Sequence, residues 1–517
     1  PNDDNGYDIS DYREIMREFG TMEDFDRLLK EIHKREMRLV LDLVVNHTSD
    51  EHPWFEEARK SRHNPYYNYY HWWPAEKGEP PLRLSYFDEE GNAWTYNKPT
   101  DSYYLHYFSR KQPDLNWENP EVRQEIFDMM RFWFDKGIDG FRMDSISLIA
   151  KDPSFPLIDS KKYPDIFSFY AKEPRLHLYL HEMNRQVLSK YDCMSVGEGS
   201  AVMVDDVAKF VDPAREELNM LYHFDAARIR NTTLPDNPES GIDYSLIALK
   251  KMFTEWDKAV DKGWPSIYLG NHDQPRMVSR FGSDKDEFRA LSAKMLITFL
   301  LTMRGTPYWF AGDEIGMRNI RFDRIEDYND IDTINRYKKA KAEGKDPQAV
   351  LDEQKETGRD NARTPFQWDR SPEAGFTAGT PWLKVNPDYT WINVADEEKD
   401  PTSILNYFKK VVSFRKENPS LIYGSYHLLD AENPQSYTFL RKTGADTYLI
   451  MLNFSPKAAI STPGIDMSNA HVLLDNYGAR SHMAPQKDIT LRPFEAIVFQ
   501  LNHPVYESFI DSLDLLE

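Results

Sequence analysis

An amphipathic helix followed by an apolar strand recurs along this chain, and that repeat restricts the folds open to it. In "TMEDFDRLLKEIHKREMRLVLDLVVNH", Thr21 and Asp24 predict a capped helix start, and apolar residues follow at helical spacing. Residues 39–45 are then apolar on both faces except for Asp42, as is typical of a buried parallel strand. Further helices that each lead into a strand are predicted at 119–137, 175–190, 245–260 and 288–303.

The alternation of helices and strands predicts a parallel α/β architecture. A doubly wound open sheet and a closed barrel both satisfy the alternation by itself. Acidic residues recur at the carboxyl ends of the strands, and in a (β/α)8 TIM barrel all those ends meet on one rim. We therefore expect the barrel. The strand-end acids are Asp42, Asp144, Glu198, Asp273 and Asp313.

Three stretches depart from the repeat. The first, residues 47–116, is rich in Tyr, Trp and Pro and is too long for an ordinary loop. The second, residues 318–402, holds a charged helix and loops. In the third, from about residue 420, strands alternate with turns as in an antiparallel β domain. We expect these domains: the first part of the catalytic barrel at 1–46, an inserted subdomain at 47–116 after the third strand, the second part of the barrel at 117–418, and a C-terminal β-sandwich with a terminal helix at 419–517.

Composition excludes several classes of protein. With 85 acidic and 64 basic residues the net charge is −21, which repels nucleic acids. No apolar run is long enough for a membrane span, so we expect neither a nucleic-acid nor a membrane partner. A single cysteine, Cys193, excludes an internal disulfide and favours a cytoplasmic location. The first residue is Pro1, which leaves a signal peptide open.

The stretch "GIDGFRMDSISL" places two charged residues in an apolar strand. Arg142 and Asp144 are two positions apart, so both side chains point to the same face. Burying both charges is unfavourable unless they are paired or used. A salt-bridged surface strand is the other interpretation of this pattern.

Four stretches, "DLVVNH", "GFRMDS", "VGEG" and "GNHDQPR", resemble in order the signature regions of the α-amylase family, glycoside hydrolase family 13. The stretches "GYDISDY" and "GTPYWFAGDEIGM" resemble its supplementary regions. "QPDLNW" is similar to the branch of oligo-1,6-glucosidases and α-glucosidases. The resemblance covers nearly the whole chain and implies a retaining glycoside hydrolase.

The resemblance implies that Asp144 is the nucleophile, Glu198 the general acid/base and Asp273 the carboxylate that stabilises the transition state. Retaining cleavage needs one carboxyl to attack the anomeric carbon and a second to protonate the leaving oxygen. Arg142 is expected to lower the pKa of Asp144 and keep it anionic, whereas Glu198 has no cation beside it in the sequence.

The resemblance also implies a set of residues that bind the sugar. His47 and His272 could instead bind a metal, but each stands beside Asn or Asp without further His, so we expect no metal ligands and hydrogen bonding to hydroxyls. Tyr7 and Phe108 could equally be core residues rather than stacking faces. The expected sugar-binding residues are Asp4, Tyr7, His47, Phe108, Arg142, His272, Arg359 and Arg363.

Barrels of this family begin with two strands and a helix before "GYDISDY", together with a loop that often binds calcium. We expect that segment to be missing from the printed sequence, because two absent strands would leave buried edges unpaired. No cofactor is expected to be required, apart from a possible structural calcium in that loop.

The expected activity is hydrolysis of terminal α-linked glucose from short oligosaccharides, with the residues 47–116 and 318–402 walling the rim. The alternative is a glucosyl-transferring or sucrose-isomerising enzyme of the same family. Ser145 follows the proposed nucleophile, and its small polar side chain weakens the case for strict isomaltose specificity. A catalytically inactive binding protein and a phosphate-binding barrel enzyme are disfavoured, and we expect a monomer or a weak homodimer.

Overall fold

The computed structural model describes residues 1–517 except 88–90, 160, 164, 445, 466, 468–469, 479–486 and 502–517. The terminal helix predicted in "PVYESFIDSLDLLE" therefore lies outside the described residues. The described residues form two compact units. Unit 1 comprises 1–224, 259–264 and 334–343, and unit 2 comprises the remaining described residues.

The α-helices of the described residues are α1 Met22–Lys34, α2 Pro53–Ala58, α3 Pro120–Lys136, α4 Phe167–Tyr170, α5 Arg175–Gln186, α6 Ala208–Val211, α7 Asp225–Thr232, α8 Leu246–Ala259, α9 Met277–Phe281, α10 Arg289–Thr302, α11 Ile331–Ala342, α12 Pro347–Thr357, α13 Asp360–Arg363, α14 Val394–Glu397, α15 Ile404–Glu417 and α16 Ser420–Tyr423. Within the described ranges, no helix combines the length and apolarity needed to cross a bilayer.

The β-strands of the same residues are β1 Val40–Val44, β2 Trp72–Pro74, β3 Trp94–Asn97, β4 Ser102–Leu105, β5 Gly140–Asp144, β6 Met194–Glu198, β7 Met220–Tyr222, β8 Ser266–Ile267, β9 Thr306–Pro307, β10 Ser425–Leu429, β11 Ser436–Thr443, β12 Asp446–Asn453, β13 Ala459–Ser461, β14 His471–Asp475, β15 Ile489–Leu491 and β16 Ala496–Leu501.

Unit 1 contains a parallel sheet in the order β1-β5-β6-β7. Its register pairs Val44 with Asp144 and Glu198 with Tyr222, so the carboxyl ends of the strands share one edge. Gly140 allows β5 to approach β6 closely, because a Cβ there would lie 2.2 Å from the carbonyl oxygen of Met194. The sheet thus places strand-end side chains from distant parts of the chain side by side.

The helices that precede these strands begin and end at the predicted signals. At α1, the Thr21 side chain accepts from the Asp24 N–H and Asp24 accepts from the Thr21 N–H, which confirms the capping box. At α3, Asn119 caps the first turn, and Gly137 follows the helix with φ of 108°, a left-handed conformation that favours glycine. Local sequence therefore sets the ends of both helices.

Unit 1 also contains an antiparallel sheet in the order β2-β4-β3, which lies within the stretch predicted as an inserted subdomain. The buried residues beside it form a largely aromatic core, because Tyr and Trp bury large areas with few rotatable bonds. The members of this core are Ala93, Trp94, Leu105, Tyr107, Leu148, Phe155 and Tyr170.

Unit 2 contains a parallel pair, β8 and β9, and a five-stranded antiparallel sheet in the order β10-β11-β12-β16-β14. The β8 and β9 strands are two residues long each. Alternate residues of the antiparallel sheet, among them Leu440, Leu449 and Phe499, are fully buried in one apolar core. The antiparallel strands predicted for the end of the chain are present.

Candidate active site

Two of the predicted catalytic carboxyls are the last residues of neighbouring strands in unit 1. Asp144 ends β5 and Glu198 ends β6, and the two strands are paired in parallel. Both side chains are buried, with residue exposures of 7% and 6%. Parallel pairing alone therefore places both carboxyls on the same edge of the sheet.

A single guanidinium holds both carboxyls. Arg142 Nη1 donates to Asp144 Oδ1 at 2.8 Å and to Asp42 Oδ1 at 2.8 Å. Its Nη2 donates to Glu198 Oε2, and its Nε donates to the Tyr222 hydroxyl at 2.9 Å. The charged pair that looked unfavourable in the sequence is thus the centre of a hydrogen-bonded network in which Asp144, Glu198 and Tyr222 are buried. The other interpretation of β5, a salt-bridged strand on the surface, is therefore excluded.

Arg142 affects the pKa of Asp144 in the expected direction but does not set the net shift. Burial raises the pKa of Asp144, the negative charge of Glu198 raises it further, and Arg142 lowers it without reversing the shift. The net result is a pKa well above the ordinary value. Sequence reasoning missed that Arg142 is shared, since the same cation also contacts Glu198.

Tyr222 belongs to this network and sequence reasoning missed it. Its hydroxyl donates to Glu198 Oε2 at 3.2 Å, and the residue sits opposite Glu198 in the register of β6 and β7. The sequence predicts one more strand in "ELNMLYHFD" and gives Tyr222 no other role there. The one polar aromatic at the end of this strand is the signal that could have identified it.

Residues that follow the two carboxyls complete the contacts of Glu198. The Ser145 N–H points to Glu198 Oε2 at 3.4 Å, and Ser145 has φ of 43°, a left-handed conformation uncommon outside glycine. Ser200 Oγ donates to the other oxygen, Glu198 Oε1, at 2.8 Å. Glu198 is therefore oriented from both of its oxygens.

A second part of the unit 1 site holds four of the predicted sugar-binding residues. His47 Nε2 lies 2.8 Å from the carbonyl oxygen of Tyr7, and the Tyr7 hydroxyl donates to Asp42. Gln112 Nε2 donates to Asp4 Oδ2 at 3.1 Å. The ring of Phe108 lies 5.1 Å from that of His47. Burial lowers the pKa of His47, which favours the neutral ring.

A buried ion pair that sequence reasoning missed orients His47. Lys151 Nζ lies 3.1 Å from Asp114 Oδ2 and donates to Asn46 Oδ1 at 2.6 Å. Because an ammonium only donates, the Asn46 amide must turn its NH₂ toward His47 Nδ1, 3.2 Å away. Nδ1 is then the acceptor and Nε2 carries the hydrogen given to Tyr7. Burial lowers the pKa of Lys151, and Asp114 opposes that shift.

Unit 2 holds the remaining predicted residues in one cluster around Asp273. Arg363 Nη2 donates to Asp273 Oδ1 at 2.9 Å and Arg359 Nη1 donates to the same oxygen at 3.3 Å. His272 Nε2 lies 3.2 Å from Asp273 Oδ2. Paired arginines and a carboxylate are suited to holding sugar hydroxyls by charge-assisted hydrogen bonds.

Asp330 anchors the two arginines of this cluster and was missed in the sequence. Arg359 Nε donates to Asp330 Oδ1 at 2.7 Å, and Arg363 Nη1 lies 3.7 Å from it. Burial raises the pKa of Asp330, but the two guanidiniums outweigh burial and hold the pKa below its ordinary value. Its position in a loop between helices left no periodic signal.

The described residues do not fit a metal site. Within the ranges that the structure describes, no group of three or more His, Cys, Asp or Glu side chains is arranged to hold an ion. His47 and His272 are hydrogen-bonded as described above.

Comparison with known proteins now decides the family. The family model described as "Alpha amylase, catalytic domain" matches residues 1–424. The chain belongs to the α-amylase family. An oligo-1,6-glucosidase of Parageobacillus thermoglucosidasius is 50% identical over 515 residues, which cover 98% of this chain and 90% of that protein. One of Bacillus cereus is 47% identical, covering 97% and 90%.

A solved structure in the same family is similar throughout. The trehalulose synthase from Pseudomonas mesoacidophila MX-45 has a TM-score of 0.91 and 41% identity, covering 97% of this chain and 90% of that one. The predicted (β/α)8 barrel is thereby confirmed. As a member of the α-amylase family, the protein is a glycoside hydrolase.

Proposed function

We propose that this glycoside hydrolase is a retaining α-glucosidase that releases terminal α-linked glucose from short oligosaccharides. The observation that carries the proposal is the shared contact of Arg142 with Asp144 and Glu198. One guanidinium bonded to both carboxyls holds them close together, as retaining enzymes require, in which the two carboxyls lie about 5 Å apart. Inverting enzymes need a wider gap for a water molecule between the carboxyls.

The reaction divides between the two carboxyls. In the first step, a carboxylate oxygen of Asp144 bonds to the anomeric carbon while Glu198 protonates the departing oxygen. In the second step, Glu198 takes a proton from water, whose oxygen displaces Asp144 from the same carbon. Because Arg142 touches both groups, its positive charge stays close to the negative charge as that charge leaves Asp144 and appears on Glu198 in the first step and returns in the second.

The sugar is held by the predicted binding residues. In unit 1, the carboxylate of Asp4 supplies an acceptor for hydroxyls, His47 holds the backbone of Tyr7, and Tyr7 and Phe108 supply apolar ring surface. In unit 2, Asp273 with its neighbours His272, Arg359 and Arg363 supplies a charged set that can hold sugar hydroxyls. No metal is required by this chemistry.

The nucleophile is tested by releasing p-nitrophenol from its α-glucoside. Asp144→Asn should lower kcat/KM by at least about 10³-fold, because amide nitrogen and oxygen cannot form the covalent intermediate. Asp128→Asn, on the exposed face of α3, is the matched control and should keep full activity. Proton NMR should show the α-anomer of glucose as the first product. Initial β-glucose, or an active Asp144→Asn, would overturn the proposal.

The bond cleaved is proposed from the relatives, which are named oligo-1,6-glucosidases. We expect α-1,6 bonds to be cut, with α-1,4 bonds also accepted because Ser145 is small and polar. Values of kcat/KM on isomaltose, maltose, sucrose and maltoheptaose measure this. Faster turnover of maltoheptaose than of the disaccharides would remove the preference for short substrates.

Glucosyl transfer or sucrose isomerisation is the second candidate. It is favoured by the likeness to the trehalulose synthase at a TM-score of 0.91. The product profile on sucrose separates the two, since hydrolysis yields glucose and fructose whereas isomerisation yields a disaccharide. A disaccharide as the main product would replace the first proposal with the second.

A further inference from the structure

The two oxygens of Glu198 have different surroundings. Oε2 faces the Nη2 of Arg142, the Tyr222 hydroxyl and the Ser145 N–H, and the two nitrogens among these can only donate. Oε1 faces the hydroxyl of Ser200 at 2.8 Å. A proton exchanged with substrate or water therefore passes through Oε1, next to Ser200.

The position of Ser200 is set by its neighbours. Ser147, which is fully buried, donates its hydroxyl to the Ser200 carbonyl oxygen at 2.6 Å. The preceding Gly199 donates its N–H to the carbonyl oxygen of Tyr222 at 2.8 Å, and a Cβ at Gly199 would lie 2.9 Å from that same oxygen. Ser200 itself is partly exposed. Its hydroxyl is thus fixed beside Glu198 in a residue that stays partly exposed.

A serine hydroxyl that donates to Glu198 Oε1 keeps its own lone pairs free to accept. A water molecule at this place has two hydrogens, one for Oε1 and one for Ser200 Oγ. The hydroxyl of an acceptor sugar has one hydrogen, which must go to Oε1 because Glu198 acts as the base. Only water can satisfy both acceptors.

We propose that Ser200 selects water over a sugar hydroxyl as the acceptor of the glucosyl group, by accepting the second hydrogen of the attacking water. This inference rests on the proposed function. The water oxygen bonds to the anomeric carbon, and the bond from that carbon to Asp144 breaks with its electron pair returning to the carboxylate. One proton passes to Glu198 Oε1. The other hydrogen stays on the new hydroxyl, held by Ser200 Oγ.

The test compares hydrolysis with transfer in the same reaction. Enzyme is mixed with p-nitrophenyl α-glucoside and with methyl β-glucoside as acceptor, and initial rates of glucose and p-nitrophenol release are measured. The ratio of glucose to p-nitrophenol is the hydrolysed fraction. Ser200→Ala should raise the ratio of transfer to hydrolysis by about threefold to tenfold, the effect of losing one neutral hydrogen bond.

Ser200→Thr keeps the hydroxyl and should behave like the wild type. Ser189→Ala, an exposed position in unit 1, is the matched control and should change nothing. If Ser200→Ala fails to fold by circular dichroism, Ser200→Cys replaces it, because a thiol is a weak acceptor and should give the same rise.

The inference would be overturned if a folded Ser200→Ala or Ser200→Cys kept the wild-type ratio of transfer to hydrolysis. It would also be overturned if Ser200→Thr raised that ratio as Ser200→Ala does. Either result would leave the α-glucosidase assignment intact. A wild-type enzyme that releases no p-nitrophenol would instead overturn the proposed function, and this inference with it. The two failures are therefore distinguishable.

Discussion

At the scale of single residues, Arg142 decides the properties of the site in unit 1. Its nitrogens contact Asp42, Asp144, Glu198 and Tyr222, which come from all four strands of the parallel sheet. A buried cation among several carboxylates is stable because each partner compensates the desolvation of the others. The planar fork of the guanidinium is what allows one side chain to make all these contacts.

Arg142→Lys should therefore abolish most activity although it keeps the charge. A compact ammonium cannot hold both carboxyls in one geometry, and we expect kcat to fall by about 10²-fold or more. Steady-state kinetics on p-nitrophenyl α-glucoside measure it. Arg35→Lys, an exposed pair with Glu31 in α1, is the control and should keep wild-type rates. Normal kcat in Arg142→Lys would show that the bridging geometry is unnecessary.

Asp330 carries a pH-dependent part of the stability. Its pKa is lowered from 3.8 in the folded state, so its charge stabilises the fold above that value. This contribution is lost as the pH falls through the lower, folded-state pKa.

Asp330→Asn should lower the free energy of unfolding at pH 7 by about 3 kcal/mol, because it leaves two buried guanidiniums without that anion. It should also make the free energy of unfolding depend less steeply on pH in the acid range. Urea unfolding at a series of pH values measures both effects. Asp323→Asn, which is exposed, is the control and should alter neither. If the free energy of unfolding of Asp330→Asn depended on acid pH as that of the wild type does, the pH-dependent contribution assigned to Asp330 would be contradicted.

At the scale of elements, helix ends in unit 2 are closed by buried arginines. Arg415 of α15 donates to the carbonyl oxygens of Leu301, Met303 and Leu421, each at 2.8 Å. Arg441 of β11 donates to Leu421 at 2.8 Å and to Gly424 at 2.6 Å. The last carbonyls of a helix have no partner within it, so side chains must satisfy them when they are buried.

Arg415→Met keeps the apolar stem but removes these donors. We expect the free energy of unfolding to fall by about 3 kcal/mol, since several buried carbonyls lose a hydrogen bond. Thermal or urea unfolding measures this. Lys416→Met changes the next residue of the same helix, which is exposed, and should leave stability unchanged. Equal stability of the two variants would contradict the role assigned to Arg415.

The elements differ in how well the sequence predicts them. The ends of α1 and α3 follow from Thr21, Asp24, Asn119 and Gly137, because capping depends on residues within one turn. For β8 and β9 the sequence predicts only that a strand follows each helix, and not their two-residue lengths, because a strand extends only where a neighbour supplies backbone partners. Strand length is thus a tertiary property in a way that helix ends are not.

At the scale of the whole molecule, the net charge of −21 suits a neutral sugar substrate and disfavours polyanionic ligands. The chain is similar to members of the family over nearly its whole length, and this similarity identifies the barrel. The described chain divides into two units whose boundaries cross the predicted domains, since compactness depends on spatial neighbours rather than on order along the chain.

The sequence by itself determined the alternation of helices and strands, the acids at strand ends and the family, because periodicity, caps and motifs are local. Only the tertiary structure decided that Arg142 is shared by two carboxyls and that the pKa of Asp144 rises. It also decided that Tyr222 and Ser200 contact Glu198 and that Asp330 contacts Arg359. These features depend on burial and on hydrogen bonds between residues far apart in the chain. Neither can be deduced from spacing, since both arise only when strand register places the groups together.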